Sequence, residues 1–437
     1  MIENNVREYL IDFQRKDIPP LTERDLDITI SGKIISIIGP RRAGKTYYFY
    51  QKMKELVQSG IQKESILYLN FEDPRLMDIR FQEIREIIKI HWRLYPASME
   101  KSLQIFMDEP QNILKWEVAV RALHDEGFVI FLTGSSSKLL SKEIATALRG
   151  RTVPFLLLPC SFKEFLRMKQ IIFDKEKLSS KDMSLLLSLL DEYLDYGGFP
   201  EIIQEQDPDN KIRIFQEYFN MVIYRDIVER YKIRNTNLIK WLIRALASSF
   251  AKEFSVHKIY STLISQGIKV SKNTLYTYVS MLEDVLFIFF VPKFSHSVRK
   301  RELSINKTYL CDVGFSKLVE QGTSIGKKME NVVFLELERT KPVLSDICYW
   351  KNPQKEEVDF VIKKGNTAEM LIQVCYDVND PDTKKRELRA LLKAAQDLNC
   401  NNLLIITWNY EAIETINNNI VTYIPLWKWL LHSSVDI

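Results

Sequence analysis

Cysteine is scarce and scattered. Cys160, Cys311, Cys348, Cys375 and Cys400 show no CxxC or CxH spacing, which argues against structural zinc and fits a reducing compartment. Long apolar runs are missing as well. The longest, VLFIFFV at 285–291, falls far short of the about 20 residues that a bilayer crossing needs. The opening stretch MIENNVREYLIDFQRKD is charged throughout and has no apolar core of the kind a secretory signal carries. These absences predict a soluble, cytoplasmic protein with no membrane partner. There is also no basic tail, collagen-like tract or acidic low-complexity tract.

What is present is material for several cores. A chain of 437 residues suggests about three domains at the usual size. With 46% hydrophobic and 27% charged residues, each domain can bury its own core. The net charge of +4 permits a polyanionic partner without demanding one.

The sharpest local signal begins at 34–38. The β-branched run IISII predicts a buried strand, and GPRRAGKTYYFYQKMKELV follows directly. Gly39 and Gly44 to Thr46 match G-x-x-x-x-G-K-[ST] between a strand and an amphipathic helix. Backbone N–H groups that wrap phosphates at a helix N-terminus need glycine where φ is positive or a side chain would block approach. Gly39, Pro40, Arg41, Arg42, Ala43, Gly44, Lys45, Thr46 and Tyr47 are therefore the expected nucleotide-binding stretch. Lys45 would reach the β- and γ-phosphates and the Thr46 hydroxyl would ligate Mg²⁺.

Two more apolar strands complete the pattern. LQIFMDEP at 103–110 ends in paired carboxylates, Asp108 to hold Mg²⁺ through water and Glu109 to activate the attacking water. FVIFLTGSSSKLL at 128–140 ends in hydroxyls. Of these, Thr133, or else Ser135, would bond the γ-phosphate or the water, unless they cap the next helix. Three such strands separated by helices predict an α/β fold, a doubly wound parallel sheet with phosphate at its carboxyl edge. Arg149 and Arg151 are candidates for a positive charge aimed at a γ-phosphate, in the same subunit or a neighbouring one. The second case would make the protein a homo-oligomer.

Together GPRRAGKT, FMDEPQ, LTGSSSKLL, LRGR and LPCSFKEFL resemble a widespread archaeal and bacterial ATPase family. Its members join an AAA-like P-loop module to a C-terminal domain of unknown function. YGGFPEII at 196–203, YRDIVER at 224–230, TYVSMLED at 277–284 and KTYLCDVGF at 307–315 extend the match over nearly the whole chain. The resemblance implies an ATP- and Mg²⁺-binding core over 1–160, a helical lid over 161–235, a winged helix over 236–300 and a nuclease-like domain over 301–437.

Residues 254–291 read as helix, turn, helix and wing, with Ser255 starting one helix, Gly267 turning it and Ser271 capping the next. Leu275, Tyr278 or Val279, and Leu282 fall at core spacing. Lys272, Asn273, Tyr276 and Ser280 would then face outward. These would enter a DNA groove, with Arg299, Lys300 and Arg301 on phosphates, unless the element only packs domains together.

The last third looks like the PD-(D/E)XK nuclease fold, in which Glu330, Asp359 and Gln373 would converge as a vestigial metal site. Glu357 shares a face with Asp359 and would be able to substitute for it. Where such an enzyme carries its lysine, LIQVCYDV at 371–378 has Cys375. A neutral thiol cannot offset developing negative charge, so Lys384 or Lys385 would have to reach in as a substitute. The expected function is ATP hydrolysis by an AAA-like, DNA-binding ATPase whose nuclease-like end is inactive. The alternatives are a nucleotide-gated signalling ATPase acting on a protein partner and an ATP-regulated nuclease.

Overall fold

The computed structural model describes residues 2–100, 102–135, 148–174, 177–233, 235–297, 299, 301, 303–318 and 324–432. The chain divides into two compact units, Met1–Pro159 with Asp284–Leu286, and Cys160–Glu283 with Phe287–Ile437. Among the described residues, no helix is long and apolar enough to cross a membrane.

The first unit is built on five strands, β1 (Ile34–Ile38), β2 (Ile66–Asn70), β3 (Gln104–Asp108), β4 (Val129–Gly134) and β5 (Thr152–Leu156). They lie in the order β2-β3-β4-β1-β5 with every pairing parallel. Parallel sheets bury both faces, and the sequence supplies a core for each. Ile34 and Ile38 join one core with Leu67, Ile105 and Leu132, covered by the helices Ile84–Leu94 and Trp116–Asp125. Ile35 and Ile37 join the other with Phe106 and with Tyr48, Phe49 and Met53 of the helix Lys45–Gln58. The run IISII is thus apolar without alternation because alternate residues enter different cores.

The second unit is also mixed α/β. The helix Thr236–Ser248 is followed by β6 (Lys252–Phe254), the helices Val256–Ser265 and Lys272–Asp284, β7 (Ile288–Val291) and β8 (Asn306–Leu310). The three strands form an antiparallel sheet in the order β6-β8-β7. Ser255 accepts the Lys258 N–H at 3.3 Å, Gly267 turns with φ +78° and Ser271 accepts the Thr274 N–H at 3.0 Å. Each of the three residues expected to start, turn or cap a helix therefore does so.

After the helix Ile325–Thr340 come β9 (Ser345–Lys351), β10 (Glu357–Lys364) and β11 (Thr367–Cys375), then the helix Pro381–Leu398. Next are β12 (Leu403–Thr407), β13 (Ala412–Ile416) and β14 (Asn419–Pro425), giving one mixed sheet ordered β13-β14-β12-β11-β10-β9.

Two stretches without obvious chemistry, YGGFP and CDVGF, meet here. The buried Asp312 carboxylate accepts the N–H of Gly198 at 2.7 Å and of Gly314 at 2.8 Å. Gly197, at φ +68° and ψ −158°, passes so close that an added Cβ would lie 1.7 Å from Asp312 Oδ1. Only glycine tolerates both the backbone conformation and the contact. Burial pushes the Asp312 carboxyl up to about 7. A raised folded value means this group's stabilisation is complete below its unfolded value of about 3.9 and is lost as pH rises through 7. Gly197→Ala is expected to destabilise the second unit by roughly 3 kcal/mol or more, read by denaturant unfolding. An unchanged midpoint would contradict the packing described.

Candidate nucleotide site and acidic cluster

The carboxyl edge of the first sheet gathers β1, β3 and β4 at one point. From Ile38 the chain enters a loop whose first residue, Gly39, donates its N–H to the Gly134 carbonyl at 3.3 Å. A Cβ on Gly39 would lie 2.0 Å from the Leu157 carbonyl oxygen, so no other residue fits. Arg42 and Gly44 adopt positive φ, 68° and 97°, and the helix starts at Lys45. The first turn of a helix has N–H groups without intrahelical acceptors, and here that turn follows directly on the glycine loop.

Lys45 is 6% exposed. Its Nζ donates to the carbonyls of Gly39 and Pro40, each at 3.1 Å, and lies 3.8 Å from Glu109 Oε1. Asp108, also buried, accepts hydrogen bonds from Thr46 at 2.7 Å, from Tyr68 at 3.0 Å and from Thr133. Burial pushes its carboxyl above the ordinary value and Glu109 adds to this, while the three hydroxyls oppose it. Glu109 has φ +53°, and its N–H donates to Thr133 Oγ1 at 3.1 Å. Ser135 donates to its carboxylate at 3.3 Å and Gln111 donates to the same oxygen. Thr133 therefore bridges the two acids, and Ser135 and Gln111 aim the second.

The remaining loop residues divide. Arg41 pairs with Glu72 at 3.3 Å, Arg42 is exposed, Ala43 is buried and Tyr47 is exposed with its ring edge-on to Tyr50. The structure does not bring Arg151 to the loop within its own chain. Its carbonyl accepts the Ile34 N–H at 2.8 Å, at the opposite end of β1 from Gly39, and its guanidinium grips Asp125 at 2.7 and 3.2 Å. Arg149, exposed, is two residues further from the start of β5. Strand register decides this, and register is not visible in local sequence.

One residue beneath the loop went unpredicted. The buried guanidinium of Arg24 donates to the Ala43 carbonyl at 2.7 Å and the Leu158 carbonyl at 2.6 Å, while its own N–H goes to Gln51 at 2.8 Å. It ties the loop to the irregular segment that follows β5 and to the helix, from a segment whose sequence has no motif.

In the second unit Glu330, Glu357 and Asp359 converge, but on a lysine. The Nζ of Lys307, on β8 and 2% exposed, lies 2.9 Å from Glu330, 2.6 Å from Glu357 and 3.0 Å from Asp359. The β9–β10 register shifts between Val358 and Val361, a bulge of the kind that re-aims a side chain. Tyr309 donates to Glu330 at 2.7 Å, Lys351 to Glu357 at 2.9 Å and the Val374 N–H to Asp359 at 3.0 Å. Burial and Asp359 push the Glu330 carboxyl up to about 7 against the pull of Lys307. Burial raises Glu357 too, but Lys307 and Lys351 outweigh it and the net shift is downward.

Gln373 turns its carbonyl oxygen to the Asp359 N–H at 3.3 Å and donates to Glu387 at 2.5 Å. Cys375 is buried, which pushes its thiol up to about 12. Lys384 does not substitute for a catalytic lysine. It binds Glu414 at 2.6 Å beneath the rings of Tyr410 and Tyr423, and Lys385 is exposed. Lys307 carried a signal in KTYLCDVGF, but no local pattern joins it to acids up to 52 residues away.

A parallel α/β sheet with a glycine loop, a lysine and paired acids at its carboxyl edge is the AAA type of P-loop module, and residues 31–166 match the family described as an AAA domain. Residues 187–323 match a domain of unknown function (DUF8612) and 325–429 another (DUF4143). The uncharacterized protein MJ1544 of Methanocaldococcus jannaschii is 39% identical over 415 residues, covering 93% of this chain and 90% of its own. The chain belongs to the same family as that protein. An uncharacterized protein of Haemophilus influenzae is 31% identical over 401 residues, covering 90% of this chain and 93% of its own. Among solved structures, C. elegans PCH-2 is 14% identical and aligns over 50% of this chain and 67% of that one, with a TM-score of 0.28.

Arg24→Met is expected to leave two buried carbonyls unpaired, costing roughly 2–4 kcal/mol of stability and about tenfold in nucleotide affinity. Nucleotide titration and thermal melting check this. Unchanged affinity would show that the loop holds its shape without Arg24.

Proposed function

We propose that this chain is an ATP hydrolase whose second unit engages duplex DNA without cutting it. The observation that carries the first part is the convergence of Lys45, Thr46, Asp108, Glu109 and Thr133 beside the Gly39–Gly44 loop. The Lys45 ammonium reaches two loop carbonyls at 3.1 Å and lies 3.8 Å from Glu109, and loop carbonyls are acceptors it can exchange for phosphate oxygens. The oxygen donors of Thr46 and Asp108, 2.7 Å apart, suit a hard cation shared with a nucleotide, since Mg²⁺ at such sites takes one or two carboxylates plus phosphates. When bound there, Mg²⁺ would neutralise phosphate charge.

The chain's own residues supply the rest. Loop N–H groups and Lys45 hold the β- and γ-phosphates, while Thr133 keeps Asp108 and Glu109 in register. Glu109, aimed by Ser135 and Gln111, orients the water for in-line attack and accepts its proton. Arg149 and Arg151 stand at the far edge of the sheet, so either would serve a γ-phosphate only in an assembly of copies. Adenine as the base follows the family resemblance.

For DNA, helix, turn, helix and a β7–β8 wing support the winged-helix reading. Leu275, Tyr278, Val279 and Leu282 are buried, and Lys272, Asn273, Tyr276 and Ser280 are exposed on the second helix. That is the face a major-groove reader presents. Of the basic segment, Arg299 is exposed, Arg301 is half-buried and Lys300 lies outside the described residues.

Purified protein with Mg²⁺ is expected to hydrolyse ATP. Lys45→Ala should abolish turnover without unfolding, and Glu109→Gln should keep nucleotide binding while lowering the rate about 100-fold or more. Normal hydrolysis by the Lys45 variant would overturn the assignment. Duplex DNA should raise the parent rate several-fold, less so as salt rises or after Lys272→Ala with Arg299→Ala. A rate indifferent to DNA would point instead to a protein partner gated by nucleotide.

A further inference from the structure

The nuclease-like part of the second unit invites a divalent metal at Glu330, Asp359 and Gln373, and the residues present do not fit one. Three carboxylates converge on a single point, and that point is Lys307 Nζ, at 2.9, 2.6 and 3.0 Å. Each carboxylate is also held by a second donor, the Tyr309 hydroxyl, the Lys351 ammonium or the Val374 N–H. Gln373 is held by two contacts of its own, its carbonyl oxygen accepting the Asp359 N–H and its amide nitrogen donating to Glu387. Among the described residues, no group of three acids, histidines or cysteines is arranged to hold a metal.

The lysine is also anchored. β8 is the central strand of its sheet, and Lys307 is in register with Glu253 on β6 and with Val291 on β7. An ammonium on an edge strand or a loop would be able to swing aside for an incoming cation; this one is fixed from both sides. It is also 2% exposed, and a buried charge stripped of its partners is strongly destabilising. The carboxylates need a cation and the ammonium needs carboxylates, and each meets the requirement of the other within one chain.

We infer that Lys307 is the resident cation of this acidic cluster, and that the C-terminal sheet accordingly takes up no divalent metal and cleaves no phosphodiester. This deepens the non-cutting part of the functional reading above. Its test reads metal binding rather than ATP turnover, so its failure would leave the ATPase assignment standing.

The test is Mn²⁺ titration of the full chain, stripped of nucleotide and metal, followed by thermal melting. The parent should show no saturable stabilisation beyond that of its Glu357→Gln counterpart, a substitution at a partly exposed acid. Lys307→Ala should melt lower in chelator and regain about 5 °C with Mn²⁺, and adding Glu357→Gln should remove the gain. A saturable Mn²⁺ shift in the parent that Glu357→Gln abolishes would overturn the inference, as would a folded Lys307→Ala chain indifferent to Mn²⁺. If Lys307→Ala does not fold with or without Mn²⁺, the parent comparison decides alone.

Discussion

A buried charge must have partners, and the identity of those partners separates what two lysines of this chain can do. Lys45 reaches carbonyls of its own loop at 3.1 Å and lies 3.8 Å from Glu109. A phosphate oxygen is a stronger acceptor than a carbonyl, so the loop contacts are ones that an anionic ligand would replace. Lys307 has three carboxylates within 3.0 Å, and nothing a ligand brings would improve on them. One arrangement is open and the other closed, although both put an ammonium beside acids in a dry interior.

The loop architecture follows from the open case. The chain passes against the Leu157 carbonyl at Gly39 and turns left-handed at Arg42 and Gly44, a path that would aim backbone N–H groups at phosphate in the proposed site. Beneath the loop Arg24 holds the Ala43 and Leu158 carbonyls. The acids opposite are disciplined by a single hydroxyl, Thr133, which bonds Asp108 and takes the Glu109 N–H. Glu109 has a positive φ, and under the proposed mechanism that strain falls on the residue that would orient the water.

How much of this was legible in the sequence depended on the range of the interactions. The Gly39–Thr46 loop was readable because its chemistry is local, a strand, a spaced glycine pair and a helix in one stretch. Paired acids ending an apolar strand were readable for the same reason, and so were the buried stripe and exposed face of the helix Lys272–Asp284. Strand register was not. It puts Arg151 at the far end of β1 and brings Lys307 to acids on a helix and on β10. Nor was side-chain direction on the helix Pro381–Leu398, where Lys384 leans toward Glu414 instead of the cluster. Arg24 left no signal, since an arginine in an irregular segment looks like any surface arginine until its partners are known. YGGFP and CDVGF were visible as motifs, but their reason, a glycine packed on a buried aspartate, appears only when the two meet.

The contrast between the open and the closed lysine is tested most directly by equilibrium dialysis of Mn²⁺ against the parent chain, with and without a non-hydrolysable ATP analogue. The account predicts one Mn²⁺ per chain that requires the nucleotide and disappears in Lys45→Ala, with no tight uptake when nucleotide is absent. Tight, nucleotide-independent Mn²⁺ binding that Glu357→Gln removes would show the second cluster to be open after all. Failure of the nucleotide to recruit any metal would contradict the assignment of Thr46 and Asp108.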